Sequence, residues 1–249
     1  MNDRKTQKKT GMARALSKLG YCSRSQAGVL IREGRVTVNG SVTRNPEHAV
    51  RIPADRIEVD GLPLRKAPAV YLVMNKPRGV VTTASDEKGR ATVYNLLDSG
   101  LPWVGPVGRL DKASEGLLLL TNDSEWAARI TEPSSHLEKK YHVQVDCVAD
   151  AGLLEKIARG GARERTEDLR AKSATLLRHG GKNSWLEIIL DEGKNRQIRR
   201  LLESLDVRVM RLVRVSIGPL ELKDLKKGAV RRLTSEEKRA IDRALREPA

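Results

Sequence analysis

From Ala69 to about Leu233 the chain alternates short apolar, strand-like runs with helical ones, and this alternation limits its fold more than any other feature. The strand-like runs are VYLVMN (70–75), LLLLT (117–121), KYHVQV (140–145), WLEIIL (185–190) and VRVSIG (213–218). Helical stretches lie between them, around 124–130, 150–159 and 194–205. Elements mixed in this way predict an α+β domain around one large sheet. With no Phe, three Trp and four Tyr, the packing falls to Leu, Val, Ile and Ala. So few aromatics argue against repeated stacking platforms for single strands.

Upstream the pattern differs. Residues 1–11 (MNDRKTQKKTG) read as a flexible basic arm. Ala13, Leu16 and Leu19 then recur at helical spacing, and Gly20 closes the turn at C′. Ser23 and Gln26 form a capping box that opens a second helix, with Ala27, Leu30 and Ile31 on one side and Gly34 at its end. Arg35-Val-Thr-Val38 alternates like a strand and runs into Asn39-Gly40, a hairpin signal. A second alternating run, Arg56–Val59, ends at Asp60-Gly61. Residues 12–60 therefore form a small helix-hairpin module, residues 61–68 a linker with two prolines, and residues 69–233 the larger domain. Thr234 and Glu237 cap a last helix within 234–249.

The formal net charge of +15 implies a polyanionic partner. Phosphates neutralised by Lys and Arg release counterions, which favours nucleic acid. A membrane surface is the other polyanion, but no amphipathic basic helix is evident, nor any apolar run of membrane-spanning length. Cys22 and Cys147 stand in no pairing pattern, which suits a reducing compartment, and the polar N-terminus has no secretory apolar region. The expected location is the cytoplasm, and the default state a monomer. His48, His136, His142 and His179 lack metal-ligand spacing, and phosphate-loop and dinucleotide motifs are absent, so no metal or organic cofactor is expected.

The segment GPVGRLDKASEGLLLLTND (105–123) is the most informative for chemistry. A glycine-containing approach leads through Arg-Leu-Asp into a buried strand, which places Asp111 at the rim of a core, where carboxylates become interesting. An Asp in such a loop is more often a turn or cap residue. The wider pattern changes the reading. GRLD-x-x-(S/T)-x-GLL-x-x-T-N-D resembles the motif of the RsuA/RluB/RluE/RluF family of pseudouridine synthases. NKPRGVVTT (75–83), EKKYHVQVD (138–146), EGKNRQIRRLLE (192–203) and VRVMRLVRVSIGPLEL (207–222) resemble that family's other blocks, in its order. ARALSKLGYCSRSQAGVLIREGRVTVNG (13–40) resembles the small RNA-binding domain first described in small-subunit ribosomal protein S-four.

The resemblance implies a synthase domain with a large, mostly antiparallel mixed sheet, acting on a uridine of ribosomal RNA without a cofactor. By the same resemblance, Asp111 matches the essential aspartate and Tyr141 the tyrosine that packs against the target base. Lys194 takes the basic position that pairs with the aspartate, with Arg196 as its rival. Arg109 matches the arginine that holds the flipped nucleotide or fills its gap. Gln197, Arg199 and Arg200 continue the block, and Arg14, Lys18, Arg24 and Arg35 match or neighbour the RNA-docking face of the N-terminal module. The wording SEGLLLLTND leans towards large-subunit targets. The alternative is a non-catalytic ribosome-binding or assembly protein with the same docking module, although known examples are short. A methyltransferase with this module would need a glycine-rich cofactor loop, which the sequence lacks.

Overall fold

The computed structural model describes residues 9–160 and 169–246, so the expected basic arm lies, through residue 8, outside the described residues. The chain divides into two compact units. The first takes the chain up to Tyr71, with Asp98–Gly105 and Leu120–Ser124; the second takes Leu72–Leu97, Pro106–Leu119 and everything from Glu125 on.

In the first unit, β1 (Thr10–Gly11) leads into α1 (Met12–Lys18) and α2 (Arg24–Arg32). Gly20 at φ 79 follows the end of α1 in a conformation that suits glycine, and Ser23 and Gln26 close the expected capping box. Five short strands follow: β2 (Val36–Val38), β3 (Ser41–Val42), β4 (Ala49–Val50), β5 (Ile57–Val59) and β6 (Leu62–Pro63). They form an antiparallel sheet in the order β3-β2-β5-β6, while β1 pairs with β4. Asn39-Gly40 and Asp60-Gly61 all have positive φ, as a two-residue turn matched to strand twist requires. Leu62–Pro63, in the stretch expected as linker, thus pairs as a strand. Met12, Leu16, Ala27, Ile31, Val36 and Val59 are buried between the helices and this sheet. Each large aliphatic side chain so removed from water contributes about 1.5–3 kcal/mol.

The second unit is built on a nine-stranded sheet, whose strands are β7 (Tyr71–Lys76), β8 (Gly105–Val107), β9 (Glu115–Thr121), β10 (Lys139–Val145), β11 (Ser173–His179), β12 (Ser184–Leu190), β13 (Val209–Ile217), β14 (Leu220–Glu221) and β15 (Val230–Arg232). The order is β11-β12-β10-β13-β9-β7-β15, with β14 on β13 and β8 on β9. Of the pairings with a defined register only β9–β13 is parallel. Four helices accompany the sheet: α3 (Ser124–Thr131), α4 (Ala151–Arg159), α5 (Gln197–Glu203) and α6 (Ser235–Ala244). Ile157 of α4 and Ile198, Leu201 and Leu202 of α5 pack on Val143, Leu186, Ile188 and Leu212, covering one sheet face. Leu117 to Leu120 have no exposed surface, so the four-leucine run is a strand buried on both faces.

The helix expected over 194–205 begins only at Gln197, because Arg196 is in left-handed backbone at φ 49 and cannot extend it. Strand β11 had no sequence signal: it is an edge strand, mostly exposed, without period-two alternation. Among the described residues no helix is long and apolar enough to cross a membrane.

Candidate active site

The loop that carries Asp111 lies between β8 and β9, and its backbone is held carbonyl by carbonyl. The Thr82 hydroxyl donates to Leu110 O (2.8 Å), and the Lys76 ammonium donates to Asp111 O (3.1 Å). Gly79 N–H donates to Lys112 O (2.8 Å), Arg199 Nη2 to Ala113 O (3.1 Å), and Lys76 again to Ser114 O (2.9 Å). Five successive carbonyls therefore have donors from outside the loop. Three of those donors, Lys76, Gly79 and Thr82, come from the NKPRGVVTT segment. Lys76, with no exposed surface, adds a third bond to Pro77 O (3.1 Å). Burial pulls its ammonium down from 10.5 to about 8, although the charges of Asp111 and Glu115 work against the fall.

The Asp111 carboxylate, about one-third exposed, receives Arg196 Nη1 at 3.2 Å. A non-glycine residue in left-handed backbone costs about 1 kcal/mol or more and recurs at functional sites. Arg199 is pushed below its ordinary value first by burial and then by the charges of Arg196 and Arg78, while Asp111 raises it. Asp111 is thus set among cations that repel one another and attract an anion. Arg109, two residues earlier on the loop, is exposed.

Tyr141 is half-buried on β10 and packs against the apolar cluster under α5. Its row across the sheet reads Ile188, Tyr141, Arg214, Gly116, on strands β12, β10, β13 and β9. Arg214 is buried, and its Nε donates to Leu117 O at 2.8 Å. At Gly116, with φ 104, a Cβ would lie 2.2 Å from Arg214 O and 2.7 Å from Arg214 N, so only glycine permits the parallel strands to approach. Glu115 beside it is a buried carboxylate bonded to Arg211 (3.1 Å) and Lys227 (2.5 Å). Burial pushes Glu115 up, but Lys227 and Arg211 outweigh it and leave the group below its ordinary value.

Two expectations need correction. Lys194 does not hold Asp111: its ammonium pairs with Glu192 at 2.8 Å, and Arg196 makes the bond to the aspartate. Gln197 does not face RNA. It is buried, and its amide donates to Arg170 O and Glu192 Oε1, both at 3.0 Å, which fixes the loop ahead of α5. Arg35 is engaged by both oxygens of Asp60 (2.8 and 2.6 Å), which braces the hairpin while the side chain stays at the surface. Arg14 and Arg24 are exposed on their helices and Lys18 is half-buried. Arg199 is half-buried on the Asp111 loop, and Arg200 donates to Asn195 O at 3.4 Å. Lys76 was missed, although a lysine that ends an apolar strand just before a proline was a visible signal.

Comparison with known proteins identifies the family. The family model described as RNA pseudouridylate synthase matches residues 70–204, and the S4 domain model matches residues 13–57. The ribosomal large subunit pseudouridine synthase B of Bacillus subtilis (strain 168) is 36% identical over 228 residues, which cover 91% of this chain and 93% of that protein. Its namesake from Yersinia pestis is 35% identical over 220 residues, covering 85% of this chain and 68% of the other. A solved structure described as a pseudouridylate synthase shares 30% identity and superposes with a TM-score of 0.64, over 93% of this chain and 99% of that one. The family match spans more than half of the sequence and the relatives span most of it, so the chain belongs to the RNA pseudouridylate synthases, isomerases here preceded by an S4 domain.

Proposed function

We propose that this chain converts a uridine of large-subunit ribosomal RNA to pseudouridine, with Asp111 as the carboxylate that acts on the ribose. The reading is carried by the ion pair between Asp111 and Arg196, on a loop with five externally held carbonyls. The substrate follows the names of the Bacillus and Yersinia relatives.

The reaction breaks the C1′–N1 bond, whose electron pair leaves with the uracil. The ring turns and C5 bonds to C1′, displacing Asp111 if it has bonded there; any ribose proton removed is returned, the C5 proton passes to a base, and N1 takes up a proton. The sum is an isomerisation with no net redox change and no co-substrate. Asp111 attacks C1′ or removes a ribose proton, and both routes need it ionised. Arg196 favours the ionised form and fixes its orientation through a charge-assisted hydrogen bond. Because the loop backbone is held before substrate arrives, little reorganisation remains for the reaction. The target base leaves its stack at a cost of a few kcal/mol, and stacking on Tyr141 offsets part of it. Arg109 clamps the flipped nucleotide or fills its place. The N-terminal module, through Arg14, Lys18 and Arg24, docks on RNA phosphates, so affinity falls as salt rises. The enzyme acts as a monomer in the cytoplasm.

The test is tritium release from C5-labelled ribosomal RNA that lacks the modification, comparing the wild type with Asp111→Asn. Release by the wild type alone is expected. Release from neither sample, with RNA binding intact, would move the chain to a ribosome-binding role.

A further inference from the structure

Successive residues of a strand point to opposite faces, so Tyr141 faces the apolar cluster while His142 and Gln144 face away from it. On that far face a register row runs Arg178, Trp185, Gln144, Arg211 across β11, β12, β10 and β13. The guanidinium groups of Arg178 and Arg211 lie over the Trp185 ring, 5.6 and 5.4 Å from its centroid. His142, Val213 and Leu177 complete the walls of an open cavity of about 400 Å³. Its size falls within the range of small-ligand sites.

A bulge builds this site. The register of β11 shifts between Leu176 and Arg178, so two residues of the edge strand oppose Trp185. Without the extra residue Leu177 would stand opposite the indole and Arg178 would lie beyond it. Bulges persist where a side chain must be re-aimed. Leu177 is left 45% exposed and Leu176 38%, a costly display for a structural strand. The charges are unequal. Arg211 is bonded to Glu115, and Glu187 lies against Lys140 (3.4 Å) and His142 (3.5 Å). Arg178 has no acidic partner among the described residues and is exposed.

An indole, a planar cation with no acidic partner among the described residues and an apolar wall together fit one kind of ligand. A nucleobase stacks on an aromatic ring or a guanidinium plane, and the adjoining phosphate supplies the anion. A chain of net charge +15 favours that partner over an acidic or apolar peptide. We propose that this face binds an unpaired nucleotide of an RNA strand, its base against Trp185 and Leu177 and its phosphate on Arg178. The bound base takes the place over the ring that Arg178 covers in the free protein, and the guanidinium swings out to the phosphate. This contact lies on the face opposite Tyr141, so it is separate from the target uridine. It rests on the RNA-acting reading only for the choice of partner.

The test is fluorescence anisotropy of a labelled, unstructured RNA oligonucleotide with the full chain carrying Asp111→Asn, over a range of salt. Trp185→Ala is expected to weaken binding roughly tenfold, the loss of one stacked base, and Trp185→Phe to keep most of the affinity. Arg178→Ala is expected to lower the salt slope by about 0.7–1. Since Arg178 is exposed on an edge strand, that variant stays informative even if Trp185→Ala fails to fold. Unchanged affinity together with an unchanged slope would overturn the proposal. So would a Trp185→Ala chain that turns from dimer to monomer in sedimentation while binding RNA as before, since the face would then belong to a second copy. Binding is read without turnover, so failure here leaves the isomerase reading standing, and absent tritium release leaves this one standing.

Discussion

Replacing Lys76 by Met tests how the Asp111 loop is held. The ammonium is wholly buried and donates to three carbonyls, those of Pro77, Asp111 and Ser114. Its burial lowers the ionisation from 10.5 to about 8. At about 1.4 kcal/mol for each tenfold change in proton affinity, the charged form costs the folded state about 3 kcal/mol at neutral pH. Between about pH 8 and 10.5 the unfolded chain binds more protons than the folded one, so this penalty shrinks and stability rises with pH. About 2 kcal/mol of it is removed between pH 7 and about pH 9.5. Lys76→Met has no such group. In urea denaturation at the two pH values, the stability of wild type minus that of Lys76→Met should increase by about 2 kcal/mol at the higher pH. Other titrating groups cancel in the difference. The variant also leaves buried carbonyls without their donor, at about 1–3 kcal/mol each, and the loosened loop should lower turnover at least about tenfold. A stability difference that stays flat with pH would refute the picture of a desolvated ammonium clamping the loop.

Further outcomes follow from the same geometry. Arg196→Gln should cut tritium release by at least about a hundredfold while moving stability by less than about 1 kcal/mol, because the pair is half-exposed. Lys194→Gln should keep most turnover; equal losses in the two variants would return Lys194 to the role of aspartate partner. Gly116→Ala should cost about 3 kcal/mol or more in urea denaturation, since its Cβ meets the Arg214 backbone at 2.2 Å, and a cost below about 1 kcal/mol would mean the strands can part. Glu115→Gln should be destabilised by about 3 kcal/mol near neutral pH. Its carboxylate lies below its ordinary value, so its contribution is present above the unfolded ionisation and is lost as pH falls through the folded one. The gap between wild type and this variant should therefore narrow in acid.

What could be read in advance was local. Ser23 with Gln26 and Thr234 with Glu237 announce helix starts because each box is complete within four residues. Asn39-Gly40 and Asp60-Gly61 announce turns for the same reason. The motif around Asp111 marked the loop, but not what holds it. The bond from Arg196 spans 85 positions and depends on a left-handed residue that no periodicity reveals, so Lys194 and Arg196 were indistinguishable. Gln197 looked like part of a polar face because its partners, Arg170 and Glu192, meet it only in the folded loop. The bulge at Leu177 was hidden too, since one extra residue in an exposed edge strand leaves no trace in hydrophobic spacing.

The parallel pairing of Val213–Arg214 with Glu115–Gly116 also sets an order of assembly. Parallel strands begin at the same end, so the segments leading into β9 and β13 arrive together. One brings Asp111, and the other follows α5, which Arg196 precedes. Closing this joint means meeting across nearly a hundred residues of chain, a slow and entropically costly event compared with the hairpins around it. The two ends of the ion pair thus come together through a contact far less local than the hairpins beside it, and the chemistry proposed for Asp111 waits on that seam. A chain arrested short of it could contain every hairpin of the finished molecule and still lack the ion pair on which the proposed reaction rests.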